Sequence, residues 1–514
     1  MKKLLLSSIC AVFLAGCSND EQTSNDEQTV EQALPVETAV ITMTSGIELA
    51  NFDTSVRPQD DFYRYTNGKW LDNTQIPDDR TNYASFTVLF EQSQNRMRTI
   101  IEQAAANKDS LAGTNSQKIG DLFNSYMDEE KIEALGLKPL QAEFDKISAI
   151  ENKDQLASHF AHAVKIGSII PIGVFVSQDR KNSSQYISTA SQWGLGLPDR
   201  DYYFDQSRTD IRSKYIEYID KIMDLAGFYN TKDSAVRIMK LETALAKHNW
   251  TKVQRRDANA AYNKMSKAEF STIIESFNWD NYLAAAGYDV TEIVINQPSY
   301  FEGFNKVFAA TDLETWKDYL RFNLLNTFAT SLNKDVVKTN FDFYKTTLTG
   351  VTEMQPRWKN GVNLINNNLG FMLGKVYVEK YFPPEAKQRM IELVTNLTTA
   401  FEQAITELSW MGEETKLKAK EKLNNFTKKI GYPDKWQDYS ALEIKKGDLI
   451  GNIIRANEYT YERNIKHLGQ PVDRSEWFMS PQTVNAYYNP PMNEIVFPAA
   501  LLNPPSLILK LMML

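Results

Sequence analysis

The sequence predicts a mainly α-helical protein, with a large helical lobe and a smaller mixed lobe of helices and strands. Between about residues 90 and 430, apolar residues recur three and four positions apart, which is the spacing of one helix face. Helix-start signals accompany this spacing. In Ser266-Lys267-Ala268-Glu269, a hydroxyl and a carboxylate can each accept a hydrogen bond from the other residue's backbone amide. No alternation of strands with helices is seen, so a parallel α/β sheet is not expected.

The first helices are predicted from periodicity alone, at Glu91–Asn107, Gln117–Glu133 and Asn152–Ile166. A second capping box, Thr311-Asp312-Leu313-Glu314, predicts the start of a helix that carries Trp316.

A later helix is predicted from Pro384, which suits a first helical turn, to about Leu408. Its apolar stripe is expected to be buried in the core; the stripe consists of Val394, Leu397, Phe401, Ala404 and Leu408.

The composition, 42% hydrophobic and 24% charged, is typical of a globular protein. A length of 514 residues is enough for more than one domain. The formal net charge of −8 argues against a nucleic-acid partner and against membrane binding through basic patches. No Gly-x-Ser-x-Gly nucleophile motif and no phosphate-binding glycine loop occurs.

The N-terminus is typical of a bacterial lipoprotein signal. Two lysines precede the apolar run Leu4–Leu14, and Leu14-Ala15-Gly16-Cys17 forms a small-residue cleavage site that ends in cysteine. We therefore expect lipidation at Cys17 and a lipid-anchored protein of the bacterial cell envelope, in the outer membrane facing the periplasm or the exterior. An ordinary secretory signal with an incidental cysteine is the alternative. The polar repeat that follows predicts a disordered acidic tether.

The stretch Val484–Ala499 predicts an extended segment, a proline turn and a second strand stopped by Pro498. An extended segment with a free edge can pair with a peptide laid beside it. A buried aromatic edge strand with a turn remains the simpler alternative.

Two motifs in this stretch, Asn485-Ala486-Tyr487-Tyr488 and Asn493-Glu494-Ile495-Val496-Phe497-Pro498-Ala499, resemble the substrate-binding strand of the neprilysin-like zinc metallopeptidases. Asp60-Asp61-Phe62-Tyr63 resembles the N-terminal signature of the same family. The resemblance implies a zinc metalloendopeptidase, an oligopeptidase acting on extracytoplasmic peptides. It also implies a helical lobe above an α+β, thermolysin-like catalytic lobe. The Asn485 side chain and the Ala486 backbone would bind the peptide.

The family's zinc helix carries His-Glu-x-x-His, and this motif is absent from the printed sequence. The four histidines are His159, His162, His248 and His467. Only His159 and His162 could share a helix face, and no carboxylate is spaced with them as a catalytic base. We therefore predict no catalytic residues and no metal site in this chain. Zinc is the family's cofactor, and none is expected to bind catalytically here.

The last residues, 506–514, do not resemble the family. Adding one base ahead of a back-translated Ser506–Leu514 yields Phe-Phe-Asp-Pro-Lys-Ala-Asp-Asp-Ala, which resembles the family just before its zinc helix. We therefore expect a frameshifted, truncated and inactive member with an incomplete catalytic lobe.

The expected domains are a signal peptide (1–16), a tether (17–51), the first part of the catalytic lobe (52–94), the helical lobe (95–430), the incomplete catalytic lobe (431–505) and an aberrant tail (506–514). Two other functions stay open: a non-catalytic peptide-binding lipoprotein, and a helical surface lipoprotein that binds glycans through its many aromatic side chains.

Overall fold

The computed structural model describes residues 47–502, which all belong to one compact unit. The mainly α prediction is confirmed, since the structure is 60% helix and 8% strand. The signal peptide with Cys17, the tether up to residue 46 and the tail 506–514 lie outside the described residues. Leu49–Asn51, at the end of the predicted tether, form one turn of 3-10 helix. Within the described range, no helix has the length and apolarity needed to cross a membrane.

The helices in chain order are α1 (Phe62–Asn73), α2 (Ser85–Ala106), α3 (Asn115–Met127), α4 (Glu129–Leu135), α5 (Gln141–Ser148), α6 (Lys153–Lys165), α7 (Asp201–Phe204), α8 (Thr209–Leu225), α9 (Thr231–His248), α10 (Lys267–Ile273), α11 (Trp279–Ala286), α12 (Pro298–Ala310), α13 (Leu313–Phe328), α14 (Lys334–Phe341), α15 (Arg357–Tyr381), α16 (Pro384–Glu407), α17 (Glu413–Asn424) and α18 (Leu449–Ile465). The strands are β1 (Ile172–Gln178), β2 (Tyr186–Gln192), β3 (Asn263–Ser266), β4 (Glu292–Ile295), β5 (Thr427–Gly431), β6 (Tyr487–Asn489) and β7 (Glu494–Pro498).

Local capping chemistry starts several helices. The capping box at α10 is confirmed, with the Glu269 N–H donating to Ser266 Oγ at 3.1 Å and the Ser266 N–H donating to the Glu269 carboxylate at 2.8 Å. The predicted box beginning at Thr311 is wrong by one residue. Asp312 caps α13, because its carboxylate receives both the N–H and the hydroxyl of Thr315, each at 2.8 Å.

The predicted helix Gln117–Glu133 is two helices, α3 and α4. The helix is interrupted at Asp128. The Asp128 carboxylate accepts a hydrogen bond from the Lys131 N–H and so starts the second helix. Asn152 caps α6 in the same way, and that helix confirms the prediction to within one residue at each end.

Two small sheets lie among the helices. The first has the strand order β1-β2-β4-β3, with β2 and β4 parallel and the other pairs antiparallel, and it was not predicted from the sequence. The second has the order β5-β7-β6, with β5 parallel and β6 antiparallel to β7. The second strand predicted within Val484–Ala499 is confirmed as β7, which ends at Pro498 as expected.

Two hydrophobic cores hold the described residues together. The first draws its buried side chains from Leu140–Phe343, together with Ile450, and it is rich in aromatic rings such as Trp316 and Tyr282. The second combines Met97–Ile132 with residues from Val362 onward to Leu502. The chain therefore passes from the second core to the first near residue 135 and returns to the second core near residue 350. The predicted domain boundaries at 94 and 430 remain a prediction.

The apolar stripe of α16 lines an open groove. Val394 is buried, whereas Leu397 and Phe401 are each 60% exposed, so the prediction that the whole stripe is core is wrong. Together with α17 and one face of the β6–β7 pair, these side chains line an apolar groove of about 990 Å³. The reason is physical: helical periodicity shows that a face is apolar, but it does not show what covers that face.

Candidate functional site

Strand β6 forms an edge of the second sheet, and the two residues predicted to bind a peptide lie directly before it. Within residues 47–502, β6 pairs only with β7, from Tyr487 opposite Val496 to Asn489 opposite Glu494. Asn485 is exposed and Ala486 is half-buried. The Ala486 N–H donates to Asn485 Oδ1 at 2.8 Å, which holds the side-chain amide in place. This edge can therefore accept an added strand.

Aromatic side chains support both faces of β6. The Tyr487 hydroxyl accepts a hydrogen bond from the Phe478 N–H at 3.0 Å, and the two rings lie 6.0 Å apart. Burial raises the pKa of Tyr487 to about 12. On the opposite face, Tyr488 lies 6.1 Å from the Phe426 ring and is 44% exposed. The strand is therefore only partly buried.

A buried ion pair joins β5 to β7. Lys429 Nζ lies 2.6 Å from Glu494 Oε2, and the side chains are 8% and 1% exposed. Lys429 Nζ also donates to the Glu476 carbonyl oxygen at 2.7 Å. Because Glu494 lies opposite Asn489, this pair holds β7 in place beside the edge strand β6.

The turn after β6 contacts the hairpin of β1 and β2. Pro490–Met492 form one 3-10 turn, and Asn493 follows with a φ of +49°. The Pro491 carbonyl accepts a hydrogen bond from Gln178 Nε2 at 3.3 Å. A cavity of about 430 Å³ lies between this turn and the hairpin. The edge strand β6 thus ends beside this cavity.

The carboxylates that line this cavity have partners. Asp179 accepts a hydrogen bond from the Tyr262 hydroxyl at 2.9 Å and lies 3.8 Å from Lys264 Nζ. Burial and this hydrogen bond raise the pKa of Tyr262 to about 12. Glu476 forms an ion pair with Arg463.

The histidines do not assemble a metal site. His159 and His162 lie on α6 with their rings 5.6 Å apart, and His162 Nε2 is 2.6 Å from a Glu143 carboxylate oxygen. Burial lowers the pKa of His159 to about 4.

The other two histidines pack elsewhere. The His248 ring lies against Gly303 of α12, where a Cβ would clash with it. His467 stacks on Tyr186 with the ring centroids 4.8 Å apart, and burial lowers its pKa.

Residues 47–502 include every histidine of the chain, and they contain no group of three or more His, Cys, Asp or Glu side chains placed to hold a metal ion. A peptidase zinc site needs two imidazoles and a third ligand around one ion. The donor set of the described residues does not fit that requirement. Whether the chain binds zinc stays a prediction.

Comparison with known proteins decides the family. The model of peptidase family M13 matches residues 58–433, which is more than half of the chain. The chain belongs to peptidase family M13. The neprilysin-like resemblance is thereby confirmed.

Alignments with curated relatives cover nearly the whole chain. Human endothelin-converting enzyme 1 is 29% identical over 489 residues, covering 90% of this chain and 63% of that enzyme. Neprilysin-3 of Drosophila melanogaster is 29% identical over 495 residues, covering 89% of this chain and 62% of that protein. The chain therefore spans less than two thirds of the length of these curated relatives.

The fold also agrees with that of a solved zinc metalloprotease. The crystal structure of Mycobacterium tuberculosis zinc metalloprotease Zmp1 in complex with an inhibitor superposes with a TM-score of 0.86 and 41% identity. The match covers 90% of this chain and 71% of Zmp1. The cryo-EM structure of Zmp1 in its open state gives a TM-score of 0.78.

Several residues of the site were missed by sequence reasoning. Gln178 ends a strand whose β-branched and aromatic residues, in residues 172–176, were available as a strand signal. The pairing of Lys429 with Glu494 had no local signal, because the two residues are far apart in the chain.

Proposed function

We propose that this M13-family chain binds oligopeptides along the edge of β6 and that the chain as printed does not hydrolyse them. The observation that carries the proposal is the edge of β6, which within residues 47–502 pairs with β7 alone, next to the exposed Asn485 amide. A peptide that adds to this edge gains main-chain hydrogen bonds in a fixed register.

The Asn485 amide is oriented for such a peptide. Its Oδ1 already accepts the Ala486 N–H, which leaves the Nδ2 hydrogens to donate to a peptide carbonyl. The half-buried Ala486 offers its own carbonyl to a peptide N–H, and its small side chain lets the peptide backbone approach closely. These residues bind and orient; none of them activates water.

Zinc in this family supplies a Lewis acid that polarises the peptide carbonyl. The described residues do not fit a zinc site, so no catalytic step is derived for them. The proposal of inactivity rests on this donor set and on the absence of His-Glu-x-x-His from the printed sequence.

The binding experiment uses isothermal titration calorimetry with an oligopeptide of about eight residues, for the chain and for Asn485→Ala. We expect peptide binding that weakens in the variant, and no cleavage by mass spectrometry with added zinc. Cleavage that a chelator abolishes would overturn the proposed inactivity. Absence of peptide binding would overturn the binding function.

The frameshift is a separate proposal, supported by the resemblance of the back-translated tail to the family sequence. Sequencing the gene across the codons for Pro505–Leu514 and beyond tests it. Another frame that encodes His-Glu-x-x-His supports it, and an uninterrupted frame without that motif refutes it.

We also propose that the protein acts outside the cytoplasm, anchored to the outer membrane by lipid at Cys17. The signal-like sequence up to Cys17 supports this proposal. Fractionation of cells labelled with a fatty-acid probe should place the label in the membrane, and Cys17→Ala should lose it. Label retained by Cys17→Ala would refute the anchor.

A further inference from the structure

The tip of the β1–β2 hairpin extends the proposed peptide edge. Gln178 bonds the carbonyl of Pro491, and the neighbouring residues Asp179 and Arg180 line the 430 Å³ cavity together with Asn489 and Pro491. A peptide that leaves β6 past Asn489 therefore enters a space whose far wall is this hairpin.

The ionisable side chains that line this cavity are the acids Asp179 and Glu476, the bases Arg180, Arg463 and His467, and the tyrosines Tyr186 and Tyr262. Both acids have partners of opposite charge or hydrogen-bond donors nearby. Asp179 is bonded to Tyr262 and lies near Lys264, and Glu476 is paired with Arg463. Arg180 is exposed, and within residues 47–502 its guanidinium has no ion-pair or hydrogen-bond partner.

Arg180 also lines a second cavity, of about 490 Å³, which shares Phe175 and Asn296 with the first. Its other charged residues are Asp199, Arg200, Asp201, Lys252 and Arg255. Lys252 lies 2.5 Å from Asp199 and is neutralised by it. The remaining charges leave an excess of positive charge around Arg180, which favours an anion entering from the peptide edge.

Resting on the peptide-binding function proposed above, we propose that Arg180 determines specificity by binding a carboxylate of the peptide. The planar guanidinium can bind a carboxylate through two parallel hydrogen bonds, which fixes both the charge and the orientation of the ligand. The substrate class is therefore acidic oligopeptides, in which a peptide carboxylate reaches the space between the two cavities.

Two sources can supply this carboxylate: an acidic side chain or the peptide's C-terminus. Three oligopeptides of equal length separate them. The first is neutral with an amidated C-terminus, the second differs by one glutamate, and the third is neutral with a free C-terminus. Affinities are measured by calorimetry with the complete chain at low and at raised salt.

Arg180→Gln is the test variant and Lys181→Gln is its matched control. Lys181 is the next residue, is also exposed, lies over the Tyr262 ring at 4.6 Å and lines neither cavity. Both variants remove one positive charge. We expect Arg180→Gln to weaken a carboxylate peptide about tenfold or more, with little change for the neutral amide, because a hydrogen bond to a charged group is lost. Lys181→Gln should leave all three affinities unchanged.

The outcomes are distinguishable. If Arg180→Gln weakens binding of the glutamate peptide alone, Arg180 binds an acidic side chain. If it weakens binding of the free-acid peptide alone, Arg180 binds the C-terminal carboxylate. Equal affinities for all three peptides, unchanged in Arg180→Gln, would overturn this inference while leaving peptide binding intact. Equal effects of Arg180→Gln and Lys181→Gln would also overturn it, because loss of one positive charge from the hairpin would then explain the weaker binding without a direct contact from Arg180. If no peptide binds, the proposed function itself fails.

Discussion

The buried pair of Lys429 and Glu494 provides the sharpest test of how the proposed peptide edge is held. Replacing Lys429 with methionine keeps an unbranched apolar stem of similar length but removes the cation. Glu494 would then remain 1% exposed without its partner at 2.6 Å, and its other oxygen, Oε1, has no hydrogen-bond partner among the described residues. The Glu476 carbonyl would lose its donor at 2.7 Å as well.

The expected magnitude follows from these contacts. Removing one member of a buried ion pair costs about 3–5 kcal/mol, because the other charge stays buried and uncompensated. We therefore expect Lys429→Met to lower the local stability of the β5–β7 pair by about 4 kcal/mol. The double variant Lys429→Met/Glu494→Leu removes both charges, and it should recover most of this loss.

Hydrogen exchange of the β5 and β7 backbone amides, followed by mass spectrometry, measures this local opening free energy. Lys428→Met is the matched control, since Lys428 is the next residue on β5 and has no ion pair among residues 47–502. It should change the opening free energy by less than about 1 kcal/mol. A loss of under about 0.5 kcal/mol in Lys429→Met, or a double variant as unstable as the single one, would refute the reasoning.

Three other predictions concern peptide binding, pH and zinc. Asn485→Ala should weaken oligopeptide binding about fivefold to tenfold by calorimetry, because one hydrogen bond is worth about 1 kcal/mol, and unchanged affinity would exclude this residue from the site. Glu242 is fully buried, and burial raises its pKa from 4.5 to about 7. The folded state then keeps a proton that the unfolded state releases, so stability should fall by about 3 kcal/mol as the pH rises from 4.5 to 7, with no further change from this group above pH 7. Urea unfolding at several pH values should show this slope in the natural chain and lose it in Glu242→Gln; the same slope in both would contradict it. Zinc retained after dialysis, measured by elemental mass spectrometry, should be substoichiometric in the chain and unaffected by His159→Ala; one tightly held zinc per chain would contradict the donor-set argument.

What the sequence predicts here depends on the distance over which each interaction acts. The cap at Ser266 needs a partner only three residues away, and it was predicted correctly. At α13 the same rule chose Thr311, because the rule does not rank it against Asp312, whose carboxylate can receive two donors from Thr315.

The site was only partly predictable for the same reason. Asn485 and Ala486 were predicted as peptide-binding residues because a contiguous motif resembles a family strand, and their role stays a prediction. The pairing of Lys429 with Glu494 depends on the register in which Thr427 lies opposite Glu494, and no local pattern specifies that register. The exposure of Arg180 in the hairpin tip likewise depends on neighbours from distant parts of the chain. The incomplete burial of Leu397 shows the same limit, since periodicity describes a surface without its partner.

The division of the chain between the two cores has a consequence for the order of events during synthesis. Nearly all of the first core comes from the uninterrupted stretch Leu140–Phe343, whereas the second core joins Met97–Ile132 to residues that begin at Val362. At roughly 5–20 residues per second, the ribosome needs on the order of 10–45 seconds to pass from one part of the second core to the other. Helices α2 and α3 can pack on each other at once, but they must wait for α15 to complete their core, while the stretch Leu140–Phe343 can already fold. The proposed peptide-binding edge, whose partner strand β7 ends at Pro498, is among the last of the described elements to form.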